Sequence, residues 1–192
     1  TTGTGPYGVV VDSSGNVYTP NYGSHNVTKI TPGGVSTILA STGANTNPRA
    51  IALDSSGNVY TANGTSNNVS KITPAGVMSI LGSTGTNPRD IKLDSAGNVY
   101  TANYGSNNVS KITPDGVSTI LGTTGTNPNS MVLDSSGNVY TANSTSNNVS
   151  KIVPVSKDFW ISATGPGNTT SSYSPTAGDL GKPQRVRVTA NN

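Results

Sequence analysis

The chain of 192 residues has no cysteine, no glutamate and a single histidine, His25. The absence of cysteine excludes disulfides, thiolate nucleophiles and cysteine-ligated metals. Charged residues make up only 10% of the sequence and aromatic residues only 5%. Serine, threonine, asparagine and glycine must therefore cover most of the surface, and histidine and glutamate, two of the usual general acids and bases, are nearly missing.

Long apolar runs are missing as well. No segment approaches the roughly 20 consecutive apolar residues that cross a bilayer as a helix, so we expect no membrane span. Thr1 follows no signal-like segment, which predicts that any export signal has been removed. The net charge of +3 comes from eleven basic residues scattered singly among eight aspartates. Because nucleic-acid binding needs clustered positive charge, we expect no nucleic-acid partner.

What the sequence does contain is a fourfold repeat. The units align on four aspartates, Asp12, Asp54, Asp94 and Asp134, which are 42, 40 and 40 residues apart. The longer first spacing comes from a two-residue insertion near Ala44. Because the units are nearly identical, constant positions are expected to form the scaffold and varied positions are candidates for function.

Each unit is predicted to contain four short strands. In the second unit the β-prone runs are residues 50–53, 58–62, 68–73 and 77–81. The first two are separated by Asp-Ser-Ser-Gly-Asn, with Gly57 in the left-handed turn position, and the last two by Thr-Pro-Ala-Gly, with Pro74 setting φ. Four antiparallel strands in about 40 residues, with no helical period, predict an all-β fold: a β-propeller of four blades.

The repeat also carries a family resemblance. The run Ile-Ala-Leu-Asp-Ser-Ser-Gly-Asn-Val-Tyr-Thr-Ala-Asn, followed by Asn-Asn-Val-Ser-Lys-Ile-Thr-Pro, resembles the NHL-repeat propellers and the related lactonase and streptogramin-lyase propellers. The resemblance covers residues 5 to about 155. Families of this type usually close with six or more blades, whereas four units are present here. Three arrangements stay open: four blades that close on themselves, part of a longer array, or a ring that neighbouring chains complete.

The predicted domains are a four-repeat propeller at residues 1–155 and a β tail at residues 156–192. The composition changes at this boundary, where the only Phe and Trp occur. The tail contains Tyr-x-Pro-Thr-x-x-Asp-x-Gly from Tyr173, which resembles the closing strands of bacterial Ig-like surface modules. We expect either a truncated module of that kind or strands that complete the last blade.

Candidate binding residues lie at one end of the blades. Topology places the second turn of each blade and the linker between blades at the same end, and these segments vary between units, whereas the turns at the other end hardly change. The candidate ligand-binding residues at the variable end are Tyr7, Tyr22, His25, Arg49, Arg89, Asp90, Tyr104 and Asn129. Arginine and tyrosine often anchor binding, and tyrosine can stack on sugar rings. Alternatively, these are unconstrained loop residues of a slowly diverging repeat.

Three sets of residues recur once per unit. The aspartates are expected to cap turns, because one carboxylate per turn is too few for a calcium site, and we predict no metal and no cofactor. A second set is expected to pack in the core: Tyr18, Tyr60, Tyr100 and Tyr140. A third set belongs to a solvated strand or forms a charged ring for an acidic partner: Lys29, Lys71, Lys111 and Lys151.

Catalysis is not expected. The resemblance implies that lactonase-type propellers hold their metal with carboxylates including glutamate, and that streptogramin-lyase-type propellers use histidine with glutamate. Neither set can be assembled from matching positions here, so no catalytic residue is carried over. A Ser-His-Asp arrangement would depend on His25, whose counterparts in the other units are asparagines, and no nucleophile-elbow motif is present.

The sequence thus favours a non-catalytic propeller module of an exported protein, located extracellularly or at the cell surface. It would bind a protein or a glycan through its variable loops or serve as a spacer. Two alternatives stay open. One is a structural protein that self-assembles into a ring or filament through open blade edges, and the other is a degenerate lyase- or lactonase-like enzyme.

Overall fold

A computed structural model describes residues 2–154 of the chain. Within this range there is no helix, and accordingly none that is long and apolar enough to cross a membrane. The predicted tail at residues 156–192 lies outside the described residues, so its Ig-like or blade-completing character stays a prediction.

The described residues form fifteen strands. In chain order they are β1 (Val10–Val11), β2 (Val17–Asn21), β3 (Asn26–Ile30), β4 (Ser36–Ser41), β5 (Pro48–Leu53), β6 (Val59–Asn63), β7 (Asn68–Ile72), β8 (Met78–Ser83), β9 (Pro88–Leu93), β10 (Val99–Asn103), β11 (Asn108–Ile112), β12 (Ser118–Thr123), β13 (Pro128–Leu133), β14 (Val139–Asn143) and β15 (Asn148–Ile152).

The strands form four antiparallel sheets in which neighbours in the chain are neighbours in space. Blade 1 comprises β1–β4, blade 2 β5–β8, blade 3 β9–β12, and blade 4 the three strands β13–β15. The prediction of an all-β propeller built from repeated blades is confirmed. The blades do not close into a ring within the described part of the chain.

Neighbouring blades pack face to face, and β9, the first strand of blade 3, contacts the first strands of blades 2 and 4. Three apolar clusters lie between the blades. In the cluster between blades 3 and 4, for example, Met131, Val139 and Ile152 of blade 4 pack against blade 3. Because small β-sheets have two faces, each inner blade can bury both, and this mutual burial supplies the hydrophobic core.

The constant turn at one end of each blade is held by its aspartate. Asp94 Oδ1 accepts hydrogen bonds from the backbone amides of Ala96 and Asn98, at 3.0 and 2.9 Å. Its Oδ2 accepts from Asn98 Nδ2 at 2.7 Å and from the Tyr100 hydroxyl at 3.0 Å. Gly97 completes the turn with a φ of 78°, which favours glycine. The predicted capping role is confirmed, and the same contacts recur around the other three aspartates.

The recurring tyrosines and lysines form one stacked unit per blade. Tyr18, Tyr60 and Tyr100 are buried, as predicted, whereas Tyr140 is half-buried because no described blade follows blade 4. Burial raises the pKa of Tyr18 to about 12, and its hydrogen bond to the Asp12 carboxylate adds to the effect. Lys71 lies over the ring of Tyr60 on the neighbouring strand, 5.7 Å from its centroid, and the other three units repeat this contact. The lysines therefore cover the edge of the core with their stems.

Candidate functional site

The linkers and second turns meet at the variable end of the blades. The backbone amide of Tyr22 donates to the carbonyl of Gly5 at 2.8 Å, and the amide of Tyr104 donates to the carbonyl of Asn87 at 3.0 Å. Each linker is thereby fixed against the second turn of the blade that it enters. Side chains from these two segments form a surface that we call the Arg–Tyr face, defined by Tyr7, Tyr22, Arg49, Arg89 and Tyr104.

The first half of this face lies at the junction of blades 1 and 2. The rings of Tyr7 and Tyr22 have their centroids 5.2 Å apart and are inclined at 41°. The Arg49 guanidinium carbon lies 4.9 Å from the centroid of Tyr22 and 5.8 Å from that of Tyr7. Both distances are within the range of cation–π attraction. One cation from blade 2 therefore rests on two aromatic rings of blade 1.

Gly64 makes room for this arrangement. It occupies the repeat position that holds Tyr22 in blade 1 and Tyr104 in blade 3. A Cβ at Gly64 would lie 2.7 Å from Arg49 Nε and 3.0 Å from Arg49 Cδ, closer than real Cβ atoms come to other atoms. The absence of a side chain at Gly64 is thus what allows Arg49 to lie across the surface.

The second half of the face lies on blade 3. The Arg89 guanidinium carbon is 3.4 Å from the centroid of the Tyr104 ring, a close approach that suits the planar guanidinium group. Its Nη1 also donates to the side-chain oxygen of Asn129 at 3.2 Å, across to blade 4. Asn129 therefore orients Arg89, while the remaining guanidinium donors are free to meet a ligand.

Both guanidinium groups retain unused donors. The Nε atoms of Arg49 and Arg89 are buried, and neither has a hydrogen-bond partner. Within residues 2–154 the one ion pair is that between Lys92 and Asp90, so neither arginine faces a carboxylate. Two half-buried cations without a counter-ion favour an anion at this surface, because a carboxylate can accept from the accessible guanidinium donors in pairs.

The carboxylate of Asp90, a candidate ligand-binding residue, is engaged within the protein. Its Oδ1 accepts from the amide of Ile91 at 2.8 Å and from Lys92 Nζ at 2.7 Å. Its Oδ2 accepts from the amide of Met131 in the next blade at 2.7 Å. Asp90 therefore ties blade 3 to blade 4, and its acceptors are occupied by the protein itself.

His25 also bridges two blades. It has a φ of 52°, and its Nδ1 accepts from the backbone amide of Asn47 at 3.2 Å. Asn67 and Asn107, which occupy the same position in the next two blades, use their side-chain oxygens in the same way at 2.8 Å. The histidine thus reproduces the role of an asparagine. Within the described residues no three His, Cys, Asp or Glu side chains gather where they could hold a metal.

A hydrogen bond between the second turn and the linker was not predicted from the sequence. Thr65 and Thr145, which alternate with glycines in the second turns, donate to the side-chain oxygens of Asn47 and Asn127 at 2.8 and 2.6 Å. The alternation of threonine and glycine therefore determines which linkers receive a hydrogen bond from the second turn. In blade 3 the threonine is replaced by Gly105, and the corresponding Asn87 side-chain oxygen is buried without a partner. The alternation itself was the signal that could have revealed this pairing.

Comparison with known proteins supports the fold. A profile for the β-propeller repeat family matches residues 36–69, which include the last strand of blade 1 and the first two strands of blade 2. A search of curated protein sequences gave no match.

Several solved structures are similar to the chain. Virginiamycin B lyase from Staphylococcus aureus aligns with a TM-score of 0.66 and 19% identity, over 80% of this chain and 57% of the lyase. A gluconolactonase from Xanthomonas campestris aligns with a TM-score of 0.64 and 12% identity, over 78% of this chain and 58% of that protein. A chain of a nidogen–laminin complex aligns with a TM-score of 0.66 and 20% identity, over 78% of this chain and 60% of that chain.

The chain spans somewhat more than half the length of these proteins. At such identities the likeness shows the fold alone: repeated four-stranded blades of the type found in streptogramin-lyase and gluconolactonase propellers. The resemblance expected from the repeat sequence is thereby confirmed.

Proposed function

We propose that the chain is a non-catalytic binding module whose Arg–Tyr face recognises a carboxylate-bearing ligand. The observation that carries this proposal is the pair of guanidinium groups at Arg49 and Arg89, each stacked on tyrosine and neither paired with a carboxylate of the described residues. Stacked arginines are held in place before a ligand arrives, which lowers the entropic cost of binding. They are also among the side chains that most often dominate binding energy.

The ligand chemistry follows from the face. Guanidinium groups pair with carboxylates in a bidentate manner, and exposed tyrosine rings offer an apolar plane on which a sugar or a side chain can rest. Tyr7, with 61% of its surface exposed, provides such a plane beside Arg49. A uronic-acid glycan and an acidic peptide share this chemistry, and the experiment below separates them.

We also propose that the module acts outside the cell or at its surface, as part of an exported protein. The support is compositional: only 10% of the residues are charged, threonine, serine and asparagine are abundant, and the sequence of the tail resembles the end of bacterial Ig-like surface modules.

An enzymatic role has less support. The comparison structures include a catalytically inactive variant of the virginiamycin lyase in which a histidine is replaced by alanine. In this chain the single histidine uses its Nδ1 to hold the Asn47 amide. We expect that His25→Asn, which restores the residue of the other units, leaves the fold intact. Turnover of a lactone or ester by the native chain that disappears in His25→Asn would favour the enzyme alternative.

The proposed function is tested by binding of the labelled 192-residue chain to two arrays. One carries acidic glycans and their neutral counterparts, and the other carries acidic peptides and their amide counterparts. We expect binding to acidic members of one array, and at least a tenfold loss in Arg49→Ala and in Arg89→Ala. Lys71→Ala is the matched control, because it also removes one positive charge, but from one of the recurring lysines outside the Arg–Tyr face.

A loss of binding in Lys71→Ala but not in the arginine variants would transfer the site to the lysines. Absence of binding to every acidic probe, or equal binding to the neutral counterparts, would contradict the proposal.

A further inference from the structure

Each junction between blades joins two different faces. We call the face toward the preceding blade the leading face and the face toward the following blade the trailing face. At the last junction the leading face of blade 4 contributes Met131, Val139 and Ile152. The trailing face of blade 3 contributes three further residues, which are all buried there: Tyr100, Ala102 and Val109.

No residue of the described range 2–154 covers the trailing face of blade 4. Its Val149 is 68% exposed, whereas Val109 at the same position of blade 3 is fully buried. Ala142 is exposed and Tyr140 is half-buried, although their counterparts in blade 3 are buried. A depression of about 370 Å³ on this face is lined by Ser130, Ala142 and Val149 together with neighbouring asparagines. This is the place that a leading face occupies at the inner junctions.

The leading face of blade 1 likewise has no cover from the described residues. Val9 is 65% exposed, whereas Ile91 and Met131 at its position in blades 3 and 4 are 1% and 2% exposed. Val17 and Ile30 are half-buried, although their counterparts in blade 3 are fully buried. Blade 1 thus offers a smaller version of the apolar surface that blades 2, 3 and 4 insert into their predecessors.

Each junction also contains a hydrogen bond from a backbone amide of one blade to a side chain of the preceding blade, and the groups for one more such bond are present. At the last junction Asn107 accepts from the backbone amide of Asn127, which has a φ of 59°. Blade 4 carries Asn147 at the accepting position, where it is exposed. Blade 1 carries Gly5 at the donating position, with a φ of 65°. The acceptor and the donor of one more junction are therefore both in place.

From these matching halves we propose that the trailing face of blade 4 binds the leading face of blade 1 in a second copy of this chain. Such a contact would continue the existing packing, since a trailing face already binds a leading face at three junctions within one chain. The contact is head to tail, so two copies either close into a ring or continue into a filament. This goes beyond ligand binding at the Arg–Tyr face, and it concerns blade faces rather than the open strand edges expected from the sequence.

The first experiment measures the solution mass of the 192-residue chain by sedimentation and light scattering, from micromolar to millimolar concentration. We expect a mass that rises above 19.4 kDa with concentration, and a monomer for Val9→Asp and for Val149→Asp. Both positions are exposed in a single copy, so neither change should unfold it. The matched control is Val77→Asp, at a position that is 65% exposed and belongs to none of the apolar clusters between blades, and it should associate like the native chain.

The second experiment mixes the two monomeric variants. Val9→Asp keeps an intact trailing face and Val149→Asp keeps an intact leading face, so together they should form a 1:1 dimer that grows no further. A native chain that stays at 19.4 kDa throughout would overturn the proposal, as would association that survives both substitutions. A mixture that remains monomeric would overturn the head-to-tail geometry.

Discussion

Ile91 offers the clearest test of how the blades hold together. It belongs to β9 of blade 3 and is 1% exposed, because it inserts among Tyr60, Ala62 and Val69 of blade 2. Ile91→Ala removes most of this side chain from the junction. Val9 occupies the same repeat position in blade 1 but is 65% exposed, so Val9→Ala provides a control with the same backbone setting and no preceding blade.

The two substitutions should lower the free energy of unfolding by amounts that differ several-fold. Ile91→Ala deletes three buried carbon atoms, worth about 2.4 kcal/mol at roughly 0.8 kcal/mol each. The cavity left behind raises the loss in unfolding free energy to about 3 kcal/mol, within the range for Ile→Ala in cores. Val9→Ala deletes two carbon atoms that are mostly in water already, so its cost should be about 0.5 kcal/mol.

The assay is urea unfolding followed by far-ultraviolet circular dichroism, at a protein concentration low enough to keep every variant monomeric. For a chain of this size, a loss of about 3 kcal/mol corresponds to a fall of about 6–12 °C in the thermal midpoint, which gives an independent check. Equal costs for Ile91→Ala and Val9→Ala would refute the reasoning, because burial between blades would then not be what stabilises this position.

Three further predictions concern the turns and the site. Asp94→Ala should cost about 2 kcal/mol, because four hydrogen bonds to a partly exposed carboxylate are lost; urea midpoints measure this, with the exposed Asp115→Ala as the control. Partial burial raises the pKa of Asp94, but the hydrogen bonds from Asn98, Tyr100 and Ala96 outweigh it and lower the pKa below its ordinary 3.8. The stability that Asp94 contributes is therefore complete above about pH 4 and lost as the pH falls through the lowered value; thermal midpoints between pH 2 and pH 7 should show this, and a smaller loss in Asp94→Asn. Gly64→Ala should displace Arg49 and weaken ligand binding at least fivefold while the thermal midpoint stays nearly constant; Gly33→Ala, in open surroundings, should change neither.

The fold could be predicted because its signals are local. The Asp-Ser-Ser-Gly-Asn turn needs only its own side chains, and Gly57 has the left-handed φ of 78° that the turn requires. The strands predicted at residues 50–53 and 68–73 correspond to Pro48–Leu53 and Asn68–Ile72. Fourfold repetition multiplies each of these weak signals, so the predicted strands and turns support one another.

The roles of Asp90 and His25 depend instead on contacts between blades. Asp90 resembles a free loop carboxylate until blade 4 brings the Met131 amide to it. His25 resembles a variable loop residue until its left-handed backbone and the Asn47 amide show that it replaces an asparagine. A single unit read in isolation contains neither partner. The stack of Arg89 on Tyr104 could have been predicted, since both residues were expected at the same end of the blades.

Recognition of a carboxylate by planar, stacked guanidinium groups at Arg49 and Arg89 is the central property proposed for this chain. Isothermal titration should compare the native chain with the double variant Arg49→Lys/Arg89→Lys, using the acidic probe that binds best on the arrays. The lysines keep both charges but lose the planar stack and the paired donors. We predict affinity at least tenfold weaker, with an unchanged thermal midpoint. Equal affinity in the double variant would contradict the account, because charge alone would then explain binding.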